Sequence, residues 1–110
     1  MIVSLEEMKR YLRVDYSEED GLIEQLLASA ERLCMDVARL TEEQWSVIDS
    51  DAEESEEYSK EELKGIRAAV KVAVLYAVGY LFEHREDADH HELLLTLRAM
   101  LFAIREGAGI

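Results

Sequence analysis

The densest group of reactive side chains is His84-Arg85-Glu86-Asp87-Ala88-Asp89-His90-His91-Glu92, three imidazoles and four carboxylates in nine residues. These are ligand types for zinc or manganese, which need them to converge in a fixed geometry. Here they straddle a predicted helix end, a loop and a helix start, and on a helix the adjacent His90 and His91 point about 100° apart. The run reads as a solvated interhelical turn with a capping aspartate, Asp87 or Asp89. Acidic pairs recur at Glu6-Glu7, Glu18-Glu19, Glu42-Glu43, Glu53-Glu54, Glu56-Glu57 and Glu61-Glu62. Facing carboxylates in mid-helix can hold magnesium for phosphate hydrolysis in an all-α fold. These pairs fall mostly in first turns or in a loop, where capping and the helix dipole account for them. Glu24 and Glu31 are mid-helix but are expected opposite the apolar stripe. Cys34 lies in an apolar helical run and reads as a buried thiol. There is no glycine-rich phosphate loop. No catalytic, cofactor-binding or metal-ligating residue is expected, and the chain is read as not an enzyme.

The elements that would position these residues are helices. The chain has no proline, and two of its five glycines fall in the last four residues. So few breakers favour helix over a sheet sandwich. Ser4 and Glu7 mark a capping box for a first helix, about Leu5 to Arg13, with Leu5, Met8 and Leu12 as its apolar stripe. A second helix follows Ser17, with Glu18, Glu19 and Asp20 in its first turn and a stripe of Leu22, Leu26, Ala30, Leu33 and Val37. Ile23, Leu27 and Cys34 lie beside that stripe. From Thr41 to Tyr58 the period fails. Thr41 and Gln44 can cap a short extra helix around Trp45, and Asp49 to Glu57 has no apolar side chain larger than alanine. The interval 41–58 is therefore expected to be a flexible acidic loop. Ser59 and Glu62 open a third helix running to about His84. A fourth carries Leu93, Leu97, Met100 and Ile104 on one stripe, with Leu94 and Leu101 beside it, and ends at Gly107 and Gly109. The expected fold is an all-α, compact four-helix bundle in a single domain, residues 1–110.

The third helix is the informative one. From Ala68 to Phe82 it is apolar nearly all round, with Lys71 its only charge. Such a helix needs neighbours on every side. Either three short partner helices cover it or a second subunit does. The stretch is too short and too charged to be read as a membrane span. Nucleic acid is disfavoured as a bound partner: 25 Asp and Glu oppose 12 Lys and Arg, for a formal charge of -13, and phosphate repels such a surface. Anionic membranes are disfavoured for the same reason. A lone cysteine suits a reducing compartment, and the N-terminus lacks the apolar core of a signal peptide.

Three blocks carry a resemblance. Leu5-Glu6-Glu7-Met8-Lys9-Arg10-Tyr11-Leu12-Arg13-Val14-Asp15 is similar to the opening helix of the phage head-tail connector (adaptor) family, Leu-x-Glu-x-Lys-x-x-Leu-Arg-Val. Ala77-Val78-Gly79-Tyr80-Leu81-Phe82-Glu83-His84-Arg85-Glu86 resembles the family's helix ending in aromatic-Glu-Asn-Arg. Met100-Leu101-Phe102-Ala103-Ile104-Arg105 resembles its closing Leu-Leu-x-Pro-x-Arg. The blocks stand in family order at family-like spacing. Phe82 replaces a frequent tyrosine, His84 a frequent asparagine and Ala103 a frequent proline. The last change leaves the fourth helix free to run longer.

The resemblance implies a structural subunit of a ring of roughly a dozen copies beneath the portal of a phage or prophage. It implies no enzymatic activity and no cofactor. The implied partners are further copies of itself, the portal protein on one side and a stopper or head-completion protein on the other. DNA would pass through as cargo during packaging, without specific binding, and no membrane is involved. The implied location is the head-tail junction of the virion, after synthesis in the bacterial cytoplasm. Two surfaces are expected to meet neighbours: Phe82 and Arg85 at the end of the third helix, and Met100, Leu101, Phe102, Ile104 and Arg105 on the fourth helix and tail. Two other readings fit the composition. One is a small acidic adaptor or regulator that binds another protein, for example as a mimic of DNA, with Trp45 as an anchor or a satellite core residue. The other is an all-α metal-dependent hydrolase.

Overall fold

A computed structural model describes residues 2–105, with Arg105 represented by its backbone. The order is α1 Leu5–Leu12, α2 Asp20–Val37, α3 Glu42–Ile48, α4 Lys60–Glu83, α5 His91–Met100 and α6 Phe102–Arg105. Among the described residues there is no strand. The all-α expectation holds, with six helices among the described residues where the sequence predicts four and allows a short extra one. The expected ends at Gly107 and Gly109 lie outside the described residues.

Capping chemistry sets several helix starts. Thr41 and Ser59 each accept a hydrogen bond from the backbone N–H three residues on, while Gln44 and Glu62 reach back to the cap N–H. Each completed box satisfies two donors that a helix start leaves open. At α1 Ser4 accepts from the Glu7 N–H, but the Glu7 carboxylate is paired with Lys71. The lone charge of the apolar helix thus takes up the group expected to close that box. α2 begins later than expected, at Asp20, and the acids before and at its start reach across the fold. Asp20 pairs with Lys9 at 2.8 Å and Glu19 with Arg85 at 3.4 Å.

Two helices end alike. Arg13 and Arg39 adopt left-handed backbone, φ 61° and 57°. The N–H after each returns to a carbonyl five residues earlier, Val14 to Lys9 and Leu40 to Met35. This is the Schellman closure, whose left-handed position is usually glycine. It turns Val14 and Leu40 into the core, where both are buried.

α4 is the central element. α2 packs along it as its main partner, and α1, α3 and α5 also touch it. Leu63, Ile66, Val70, Ala73, Val74, Ala77 and Val78 form its buried row. The buried row of α2 is Ile23, Leu27, Ala30 and Cys34, with Met35. This lies one residue from the stripe read in the sequence, whose Leu22, Leu26, Leu33 and Val37 are only partly buried. Both rows have helical spacing, and only contact with α4 selects between them. The non-helical Val3 is also fully buried.

The interval expected to be a loop begins as helix α3. Its Ile48 is buried and Trp45 packs against the core. The Arg67 side chain on α4 donates to the Ile48 and Val47 carbonyls at 2.9 and 3.0 Å, satisfying acceptors that a helix end leaves open. The rest carries local hydrogen bonds, among them Tyr58 N–H to Ser55 Oγ at 3.0 Å.

The last helix does not run on despite the absence of proline. It breaks at Leu101, between α5 and α6. Leu93, Leu97 and Leu101 are fully buried, whereas Met100 and Ile104 only pack at the edge of the core. Steps of four residues wind the buried row around a straight helix, and the break at Leu101 comes where that row ends.

Candidate assembly interface

The histidine-rich turn is built from packing contacts. His84 stacks on Tyr80 with ring centroids 4.1 Å apart, and its Nδ1 lies 2.9 Å from the Tyr80 carbonyl oxygen. His90 meets the same tyrosine ring edge-on at 5.9 Å. Asp89 accepts from the His91 N–H at 2.9 Å, but the N-cap position of α5 is His90 and neither Asp87 nor Asp89 holds it. Among the described residues, no group of three or more His, Cys, Asp or Glu side chains is placed to hold a metal.

Cys34 is buried. Burial, then the nearby charge of Glu31, pushes its thiol up to about 12, far from the thiolate a nucleophile requires. Glu31 departs from expectation. It is half-buried rather than on the solvent side. Burial, and behind it the charge of Asp49, raises its carboxyl pKa against the lowering effect of an Ile2 backbone hydrogen bond.

What remains is apolar surface. α4 buries one face and leaves the opposite one open: Val72 is 55% exposed and Tyr76 37%. The neighbouring helices therefore do not cover the all-round apolar stretch. By length and hydropathy α4 could cross a bilayer, a property it shares with core helices of soluble folds. Beside the open strip, α1 lies along the C-terminal half of α4. Together they border a groove of about 640 Å³ whose lining includes Tyr11, Arg13, Tyr76, Gly79, Phe82 and Glu83. A second apolar area lies on α5 and α6, where Leu95 is 50% and Phe102 60% exposed.

The residues expected at interfaces divide. Phe82 is half-buried and lines the groove. The Arg85 guanidinium stands 4.9 Å from its ring centroid, a cation–π distance. Phe102 is on the surface, Met100 and Ile104 are half-buried, and the Arg105 side chain lies outside the described residues. Leu101 is a correction: fully buried, it belongs to the chain's own core rather than to its surface. Tyr11, Val72, Tyr76 and Leu95 are further exposed apolar side chains that the sequence does not single out; its apolar surplus gives an amount of surface but not its direction.

Among curated proteins and among solved structures, no match to this chain was found. The sequence model of the family described as phage gp6-like head-tail connector protein matches residues 2–100. That span includes the first two blocks, only the first residue of the third, Met100, and also the acidic interval between α2 and α4. A structural family of this kind agrees with a chain whose reactive side chains are taken up by packing and capping: the protein belongs to the phage gp6-like head-tail connector family.

Proposed function

We propose that the chain is one subunit of a homo-oligomeric ring at the head-tail junction of a phage or prophage virion, without catalytic activity of its own. The portal protein lies on one side of the ring and a stopper protein on the other. The observation that carries this reading is the open apolar strip on α4, Val72 and Tyr76, on the most deeply packed helix of the protomer. Exposed apolar surface beside a core helix favours association. The surfaces we assign to neighbours are the end of α4, with Phe82 and Arg85, and the outer side of α5 and α6, with Phe102.

DNA passes through the ring without being held. A dozen copies of a chain with formal charge -13 bring on the order of 150 negative charges near the channel, before screening. A wall of the same sign as DNA forms no salt bridges with phosphate.

Light scattering on the full chain, alone and with purified portal protein, tests the ring. The expected species is many times heavier than the 12.6 kDa chain. Phe82→Asp and Arg85→Glu are expected to block it while leaving helical circular dichroism unchanged. A chain that stays at monomer mass under both conditions sinks the reading.

A further inference from the structure

The ring reading leaves open which surface of one copy meets which surface of the next. The two apolar areas lie on different elements, one in the α1–α4 groove and one on α5 and α6. A two-fold dimer pairs one patch with itself, whereas a ring pairs two different patches head to tail.

The details of the two areas match. The groove carries Gly79, whose missing β-carbon lets the Tyr11 ring lie close against α4. Glu83 stands one turn further on, also in the lining. On the other area Phe102 is exposed, and Arg98, also exposed, precedes it by four residues. Gly79 and Glu83 are four residues apart on α4, a rise of about 6 Å, whereas the break at Leu101 separates Phe102 from the helix that carries Arg98. Among the described residues neither Glu83 nor Arg98 has an ion-pair partner. The short turn after α4 makes α5 its antiparallel neighbour. Copies in a ring of a dozen differ by a rotation of only about 30°, so a neighbour's α5 also crosses α4 in the antiparallel sense. In that sense the chain beyond Arg98 runs toward the groove residues that precede Glu83.

Resting on the ring reading, we propose that Phe102 of one copy enters the groove of the next beside Tyr11 and Tyr76, with its Arg98 paired to that copy's Glu83. Phe102 supplies the apolar anchor. The Arg98–Glu83 pair favours head-to-tail contact, because pairing either patch with its own copy sets like charges together.

Oxidative cross-linking of the full chain tests this. Cys34 is 1% exposed and does not compete. A Tyr76→Cys/Phe102→Cys double variant is expected to give a ladder of covalent oligomers, and neither single variant a covalent dimer. Charge reversal adds a second readout: Arg98→Glu and Glu83→Arg each abolish assembly, and the two together restore it. Self-cross-linking of the Phe102→Cys variant overturns the proposal, because it shows a two-fold contact. So does normal assembly of the double-cysteine variant without a ladder, which leaves the ring reading standing. A chain that remains at monomer mass even with portal protein removes both.

Discussion

The ring of Tyr11 lies against the bare backbone of Gly79, its Cε2 3.1 Å from where a β-carbon would stand. A mid-helix glycine costs about 1 kcal/mol relative to alanine, so its presence in α4 is accounted for by this close approach. Gly79→Val is expected to push Tyr11 away from α4 and fill the groove floor. The Tyr11 ring is half-exposed and can swing, so the fold should survive. Assembly should be weakened, as read by light scattering beside circular dichroism. Unchanged assembly would show that the groove floor plays no part.

Burial and surface are separated at one peptide bond. Leu101 is fully buried and Phe102 is 60% exposed. Leu101→Ala is expected to cost about 2–5 kcal/mol of stability, the range for a core leucine. Phe102→Ala should change stability by less than about 0.5 kcal/mol, as substitutions at the surface do. Urea melts of the two variants give the comparison. Equal losses would mean that Phe102 belongs to the monomer's core.

Arg39 holds a left-handed backbone at φ 57°, where a side chain costs roughly 1–2 kcal/mol. Arg39→Gly relieves that strain and adds unfolded-state entropy, for a net gain of about 0.5 kcal/mol. The melting temperature should rise by a few degrees. A fall would show that the arginine side chain contributes more than its backbone costs.

Glu31 gives a pH signature. Burial, then the Asp49 charge, raises its carboxyl pKa in the folded state above the ordinary 4.5. The charged form is therefore disfavoured by folding. Its penalty is full above the folded pKa and is relieved as pH falls through that value. Glu31→Gln removes the charge and keeps the shape. Its melting temperature should exceed the parent's at neutral pH, and the gap should close below about pH 4.5. A lower melting temperature at neutral pH would mean that the Ile2 hydrogen bond outweighs burial.

The sequence by itself determined what depends on neighbours along the chain. Serine and threonine three residues before Glu or Gln mark three helix starts, and two of these boxes close as written. The absence of proline and the 3.6-residue spacing of apolar side chains give the helical class. The apolar surplus of Ala68 to Phe82 shows that this helix needs neighbours on every side, from its own chain or from another. Which face that surplus leaves open is a property of the tertiary structure, because a helix apolar all round carries no directional signal. Only packing turns Val72 and Tyr76 outward and sends Val70 and Val74 in. The same holds for α2, where two adjacent rows have equal periodicity and contact with α4 buries Ile23 and Leu27. Glu7 completes the contrast. Its local pattern matches a capping box, but a lysine 64 positions later takes its carboxylate, a partner that exists only once α1 lies on α4.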